Sequence, residues 1–145
     1  MFYNAKNLII DIDDTDAHYI SFGKGTRNFT IIPGAGDGFK TVKGVAIPFS
    51  IMYKKFAKDF KVYVFSRRNI IKENFSTEDM ANDIIDHMEK LHIDKADIVG
   101  VSQGGMIAQY IAINAPEKVN KLVLAVTTAR TNNVLDSVIK DWIDK

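Results

Sequence analysis

Two spacings of apolar residues alternate along this chain. Leu8 to Asp13 and Ala17 to Phe22 are short runs with strand character, and Asp13-Asp14-Thr15-Asp16 reads as the turn of a hairpin between them. Gly23-Lys24-Gly25 is a second turn. Asn28 to Ile32 is a third apolar strand, stopped by Pro33-Gly34-Ala35-Gly36-Asp37-Gly38. The period then lengthens. Pro48 stands where a first helical turn tolerates proline, and Phe49, Met52, Tyr53, Phe56 and Phe60 follow at helical spacing. Lys61 to Ser66 returns to a strand. Ser76-Thr77-Glu78-Asp79 resembles a capping box with Asp in place of Glu, and Met80, Ile84, Met88 and Leu91 mark one face of the helix it opens. Ala96 to Val101 is a strand, Gln103 to Ala115 a helix ended by Pro116, and Lys121 to Val126 a last apolar strand. Short strands separated by helices predict a mostly parallel sheet with helices on both faces, carrying an antiparallel hairpin at its start.

The tail follows a different pattern. Val134, Leu135, Val138, Ile139, Trp142 and Ile143 fall at i, i+1, i+4, i+5, i+8 and i+9, an amphipathic helix whose apolar stripe needs a partner. The expected division is residues 1–130 as the body of the domain and residues 131–145 as a helix that is either a terminal one docked on the sheet or the start of a further element.

Composition narrows the chemistry. The 145 residues suffice for one domain with a core, 46% are apolar and 26% charged, and the formal net charge is +1. That balance gives no electrostatic case for nucleic acid or an anionic membrane. There is no cysteine, which removes disulfides, thiolate chemistry and sulfur metal ligands. The first residues, Met-Phe-Tyr-Asn-Ala-Lys, lack a basic segment followed by an apolar one, and no apolar run approaches the ~20 residues of a membrane span. The expectation is a soluble cytoplasmic protein without metal or cofactor.

Gly100-Val101-Ser102-Gln103-Gly104 joins the strand Ala96–Val101 to the helix that Gln103 opens. This is G-x-S-x-G in the context that gives it meaning: strand, sharp turn, helix. The turn lifts the serine out of the sheet, which makes Ser102 the candidate nucleophile. An acyl-transfer serine needs N–H donors where the oxyanion develops. Gln103 N–H, at a helix N-terminus, is one candidate, and Ala35 N–H, in the glycine-rich loop after the third strand, is the other. The plain alternatives are a tight strand-to-helix turn and an ordinary glycine-rich loop.

The order of elements, Pro33-Gly34-Ala35-Gly36 after the third strand and Gly100 to Gly105 before an apolar helix together resemble the α/β-hydrolase superfamily. Ala115-Pro116-Glu117-Lys118-Val119 is similar to that family's step from the elbow helix into the sixth strand. The resemblance runs from Leu8 to Lys145 and covers the N-terminal part of the family's usual domain. It implies hydrolysis of a carboxylic ester or related acyl bond, with Ser102 as nucleophile, Ala35 and Gln103 as oxyanion donors, a small-molecule acyl substrate and no cofactor. Serine at the elbow, where haloalkane dehalogenases and epoxide hydrolases use aspartate, argues against those branches. The resemblance also implies that the helix from Val134 begins a cap, and that the acid and histidine come from near a seventh and eighth strand. Where family members often carry His-Gly before the oxyanion residue, this chain has Pro33-Gly34.

No histidine follows Ser102. His18, His87 and His92 all precede it and read as surface or flanking residues, and no acid ends the sixth strand. The expected function is therefore a serine hydrolase whose acid and base are not encoded here. The alternative from another class is a catalytically silent fragment or a binding and assembly module with the same fold. Without a seventh strand, 121–126 would be an exposed apolar edge able to self-associate. A third reading comes from Asp11-Ile12-Asp13-Asp14-Thr15, which matches the D-x-D-x-T of haloacid-dehalogenase-type phosphatases. There the motif leads into a helix, whereas here strand-like sequence follows. Arg67-Arg68 read as a solvated pair at a strand end, and Asp37 as a turn former.

Overall fold

The computed structural model of the chain describes residues 3–35 and 41–144, and of Trp142 and Ile143 the backbone alone. Six strands form one sheet: β1 (Lys6–Ile12), β2 (Thr15–Phe22), β3 (Arg27–Ile32), β4 (Phe60–Arg68), β5 (Ala96–Val101) and β6 (Val119–Ala125). Their spatial order is β1-β2-β4-β3-β5-β6. β1 and β2 pair antiparallel, as do β2 and β4, while β4, β3, β5 and β6 run parallel. The hairpin turn is tighter than the sequence suggests. Ile12 pairs with Thr15, leaving Asp13 and Asp14 to turn the chain, with Asp13 at φ 42°. The Asp11–Thr15 run is thus the end of one strand and the start of its antiparallel partner, not a strand leading into a helix.

The side chains of β2, β3 and β4 alternate between two buried layers, as the two-residue period of a strand requires. Ile20, Phe22, Phe29, Ile31, Val62 and Val64 face α1 (Ala46–Met52) and α2 (Lys54–Ala57), where Phe49 and Ala57 close that layer. Tyr19, Ile32, Tyr63 and Phe65 face the other way, against α3 (Thr77–Lys90) and α4 (Gln103–Asn114). The expected single helix from Pro48 to Phe60 is two short ones. The chain breaks at Tyr53, and Phe60 already belongs to β4. α3 is opened by the expected capping box. Ser76 Oγ accepts from Asp79 N–H at 3.1 Å, and the Asp79 carboxylate accepts from Ser76 N–H at 2.8 Å.

α5 (Asn133–Ile143) is capped by Asn132, whose side-chain oxygen accepts from Val134 and Leu135 N–H. None of its described side chains is buried, and Val134 is 74% exposed. The Trp142 and Ile143 side chains of the predicted stripe lie outside the described residues, as do Gly36, Asp37 and Gly38. β6 is an edge strand with both faces open: Val123 and Leu124 are 53% and 43% exposed. Among the described residues no helix is long and apolar enough to cross a membrane.

Candidate active site

β5 ends at Val101, and α4 begins at Gln103. Ser102 makes the whole turn alone, at φ 54° and ψ −122°. A non-glycine residue held at positive φ is strained, and the surrounding structure must hold it there. Two hydrogen bonds to the end of β6 do so. Ser102 N–H donates to Ala125 C=O at 2.9 Å, and Thr127 Oγ1 donates to Ser102 C=O at 2.7 Å. Gly105 N–H then takes the same carbonyl as the first helical bond, at 2.9 Å.

The flanking glycines are required by close approach. A Cβ on Gly100 would stand 2.4 Å from Gly104 C=O and 2.7 Å from the Ala108 methyl. A Cβ on Gly104 would stand 2.0 Å from Ile32 C=O and 2.6 Å from Pro33 C=O. Only glycine lets the first turn of α4 lie directly against the end of β3. That contact brings the loop after β3 to the serine: a Cβ on Gly34 would be 3.1 Å from Ser102 Cβ and 3.6 Å from its Oγ. The serine is exposed, and it opens on a cavity of about 290 Å³ lined by Ile31, Pro33, Gly34, Phe49, Tyr53, Val101 and Ser102. The lining is mostly apolar, as small-molecule sites usually are.

A second cavity of about 440 Å³ adjoins Gly34 and Ala35. Gly34, Ala35, Arg67, Arg68, Asn69, Ile71, Met80 and Gln103 line it. Ala35 and Gln103 therefore share a wall, and Gly34 belongs to both cavities. The first N–H groups of α4, Gln103's among them, have no acceptor within the helix by its geometry.

Arg67 ties this region together. Its Nη2 donates to Pro33 C=O at 2.7 Å and to Gln103 Oε1 at 3.3 Å, so one guanidinium holds the loop and the elbow residue at once. Nε and Nη1 are enclosed without a partner among the described residues. Burial alone lowers this guanidinium to about 10, so it stays cationic at neutral pH. Arg68 is 7% exposed and forms a two-pronged pair with Asp83 on α3, at 2.8 and 2.5 Å. Its guanidinium also lies 4.6 Å over the Phe75 ring. The hydrogen bond to Asp83 raises the Arg68 pKa. The reading of Arg67-Arg68 as a solvated pair is thus overturned. β4 runs on through both residues, and α3 and the Pro33 loop close over them.

Of the three histidines, His87 also departs from expectation. It is 1% exposed, not a surface residue, and it packs on Phe65 with ring centroids 5.3 Å apart. Among the described residues neither ring nitrogen has a partner, and burial pushes its pKa down to about 4. Its position three residues after Ile84 was the available signal, because that offset shares the apolar face. His92 is exposed just before β5, whose six residues put it about 20 Å from the Ser102 end. His18 is on β2, three strands from β5 in the sheet, roughly 14 Å away. The structure brings none of them to the serine.

The model for the alpha/beta hydrolase fold matches residues 30–144. Human epoxide hydrolase 4 is 29% identical over 108 residues, 74% of this chain and 30% of that protein. The 3-oxoadipate enol-lactonase 2 of Acinetobacter baylyi is 32% identical over 56 residues, 39% of this chain and 21% of that one. A solved hydrolase from Pseudomonas aeruginosa superposes with a TM-score of 0.73 at 18% identity, over 98% of this chain and 54% of its own. The chain thus spans less than a third of these curated relatives and about half of that structure. With the sheet order, the strand-to-helix serine turn and a family match across most of its length, the chain belongs to the α/β-hydrolase family.

Proposed function

We propose that the chain carries the nucleophile half of a serine hydrolase acting on a carboxylic ester or related acyl bond. The single observation behind this reading is Ser102. It is exposed, it is held at positive φ between β5 and α4, and Gly34 packs against its Cβ. Strained backbone at an exposed hydroxyl has no structural use that glycine would not serve better. In this reading Ser102 Oγ attacks the acyl carbon, and Gln103 and Ala35 N–H groups donate hydrogen bonds to the developing oxyanion. The apolar cavity under Phe49 and Tyr53 takes one side of the substrate. Serine at the elbow favours acyl transfer over epoxide opening, although two relatives are epoxide hydrolases.

The serine also needs a base and a group to orient it. His87 is enclosed, and His18 and His92 are remote. The base and acid are therefore supplied by other residues than these, and the chain as sequenced has at most weak esterase activity. The oxyanion donors alone would leave a residual rate, since enzymes lacking a triad member typically keep ~10³–10⁴-fold over water. A fluorophosphonate probe tests the reading, with p-nitrophenyl butyrate turnover measured beside it. Slow labelling and turnover that both vanish in Ser102→Ala are expected. Labelling that survives this substitution would sink the assignment.

A second reading concerns association. Leu122, Val123 and Leu124 form an apolar parallel strand with one side unpaired, a type normally buried on both faces. We propose that isolated chains self-associate through β6.

A further inference from the structure

Arg67 poses a problem that the acyl-transfer reading does not use. A buried charge is costly unless an opposite charge or a full set of hydrogen bonds repays it. Its neighbour shows the usual solution, because Arg68 is neutralised by Asp83. Among the described residues no carboxylate lies within ion-pair distance of Arg67. Its partners are two neutral oxygens, Pro33 C=O and Gln103 Oε1. The second bond is long for a charged donor, where about 2.7–2.9 Å is usual. Burial lowers this guanidinium, and among the described residues no neighbouring carboxylate acts on it. The cation borders a cavity of about 440 Å³ whose wall includes Gly34, beside Ser102, and Gln103.

We propose that this cavity is a carboxylate subsite, so that the preferred acyl substrate carries an anionic group remote from its scissile bond. The carboxylate takes the place of Gln103 Oε1 on Arg67 Nη2. The Gln103 amide oxygen holds that position in the empty site and swings aside when the anion enters. Pro33 C=O keeps its own bond to Nη2, so the guanidinium stays fixed against the loop. Arg68 adds no free charge, being paired. Ile71 and Met80 supply an apolar wall for the methylene chain between the two ends of the substrate. This inference names the substrate class of the serine-hydrolase reading and rests on it for its chemistry. The anion site itself is testable without turnover.

The test is equilibrium binding by calorimetry, with glutarate, monomethyl glutarate and dimethyl glutarate as probes on the full chain. Wild type should bind the two acids and bind the neutral diester roughly tenfold more weakly, the size of one charge-assisted hydrogen bond. Arg67→Gln should lose that preference. Gln103→Ala, which removes the oxygen in the way, should bind the acids more tightly. This variant keeps the proposal open to refutation if Arg67→Gln misfolds. Ser102→Ala should bind as wild type does, which separates the two claims. A Ser102 that no fluorophosphonate labels, together with intact glutarate binding, defeats the nucleophile and leaves the subsite standing. Labelled Ser102 with equal binding of acid and diester defeats the subsite and leaves the nucleophile. Asp37, two residues after Ala35, lies outside the described residues. Glutarate binding that appears only in Asp37→Asn would show that the counter-ion is internal and overturn the proposal.

Discussion

Replacing His87 by leucine tests the packing under the sheet and is independent of any catalytic reading. The imidazole is 1% exposed on the α3 face against Phe65, and neither ring nitrogen is hydrogen-bonded among the described residues. A neutral imidazole has one donor and one acceptor to satisfy. Leaving such groups buried and unmet costs about 1–3 kcal/mol, and an apolar side chain of similar size avoids that cost. His87→Leu should therefore unfold about 1–3 kcal/mol less readily than wild type at pH 7.5. The pH dependence follows from the shift. The folded protein holds His87 near 4, against 6.5 for the unperturbed group, because burial penalises the charged form. The unfolded chain therefore binds the proton first, and stability falls as pH drops from 6.5 towards 4. The full shift corresponds to roughly 3 kcal/mol, and about 2 kcal/mol of it is lost between pH 7 and pH 5. Asp86 is raised by burial, but it is common to both proteins and cancels in their difference. Urea denaturation of wild type and His87→Leu at pH 7.5, 6 and 5 reads the effect. The gap between the two should widen by about 2 kcal/mol on acidification. Parallel stability curves, or a leucine variant less stable than wild type at pH 7.5, would refute the reasoning.

Three further outcomes follow from the same geometry. Gly104→Ala places a methyl 2.0 Å from Ile32 C=O and should destabilise the fold by about 3 kcal/mol while exposing the elbow, read by thermal melting and fluorophosphonate labelling. Asp83→Ala leaves Arg68 charged in a nearly closed site and should cost about 3 kcal/mol, with Arg68→Met in the same background recovering much of it; equal losses in the single and double variants would argue against a buried pair. Val123→Lys puts a charge on the open edge and should lower the self-association seen by light scattering at micromolar concentration, whereas a wild-type chain that is already monodisperse and monomeric would count against association through β6.

How far the sequence discloses this molecule depends on whether a feature is local. The strands, the Ser76 capping box and the elbow are each set by residues within about six positions of one another, and their spacing is legible. The same spacing blurs where one period runs into another. Phe49 to Phe60 keeps helical periodicity through a break at Tyr53, because Phe56 and Phe60 stack about Phe29 from a helix and a strand at once. Arg67 and Arg68 were misread for a different reason. At a strand end, charge is normally a sign of solvent. What buries Arg68 is Asp83, fifteen residues later on a helix, and what encloses Arg67 is a carbonyl thirty-four residues earlier. Neither partner can be inferred until the topology puts β4 beside β3 and under α3. The consequence reaches the site. On the proposed reading the nucleophile and its loop are local motifs that announce the reaction class. The cation beside them is assembled by the fold, and on that reading it is the feature that tells one acyl substrate from another. In this chain chemistry is written in short range and selectivity in long range, so a change at Arg67 should alter which substrate binds before it alters whether Ser102 can react.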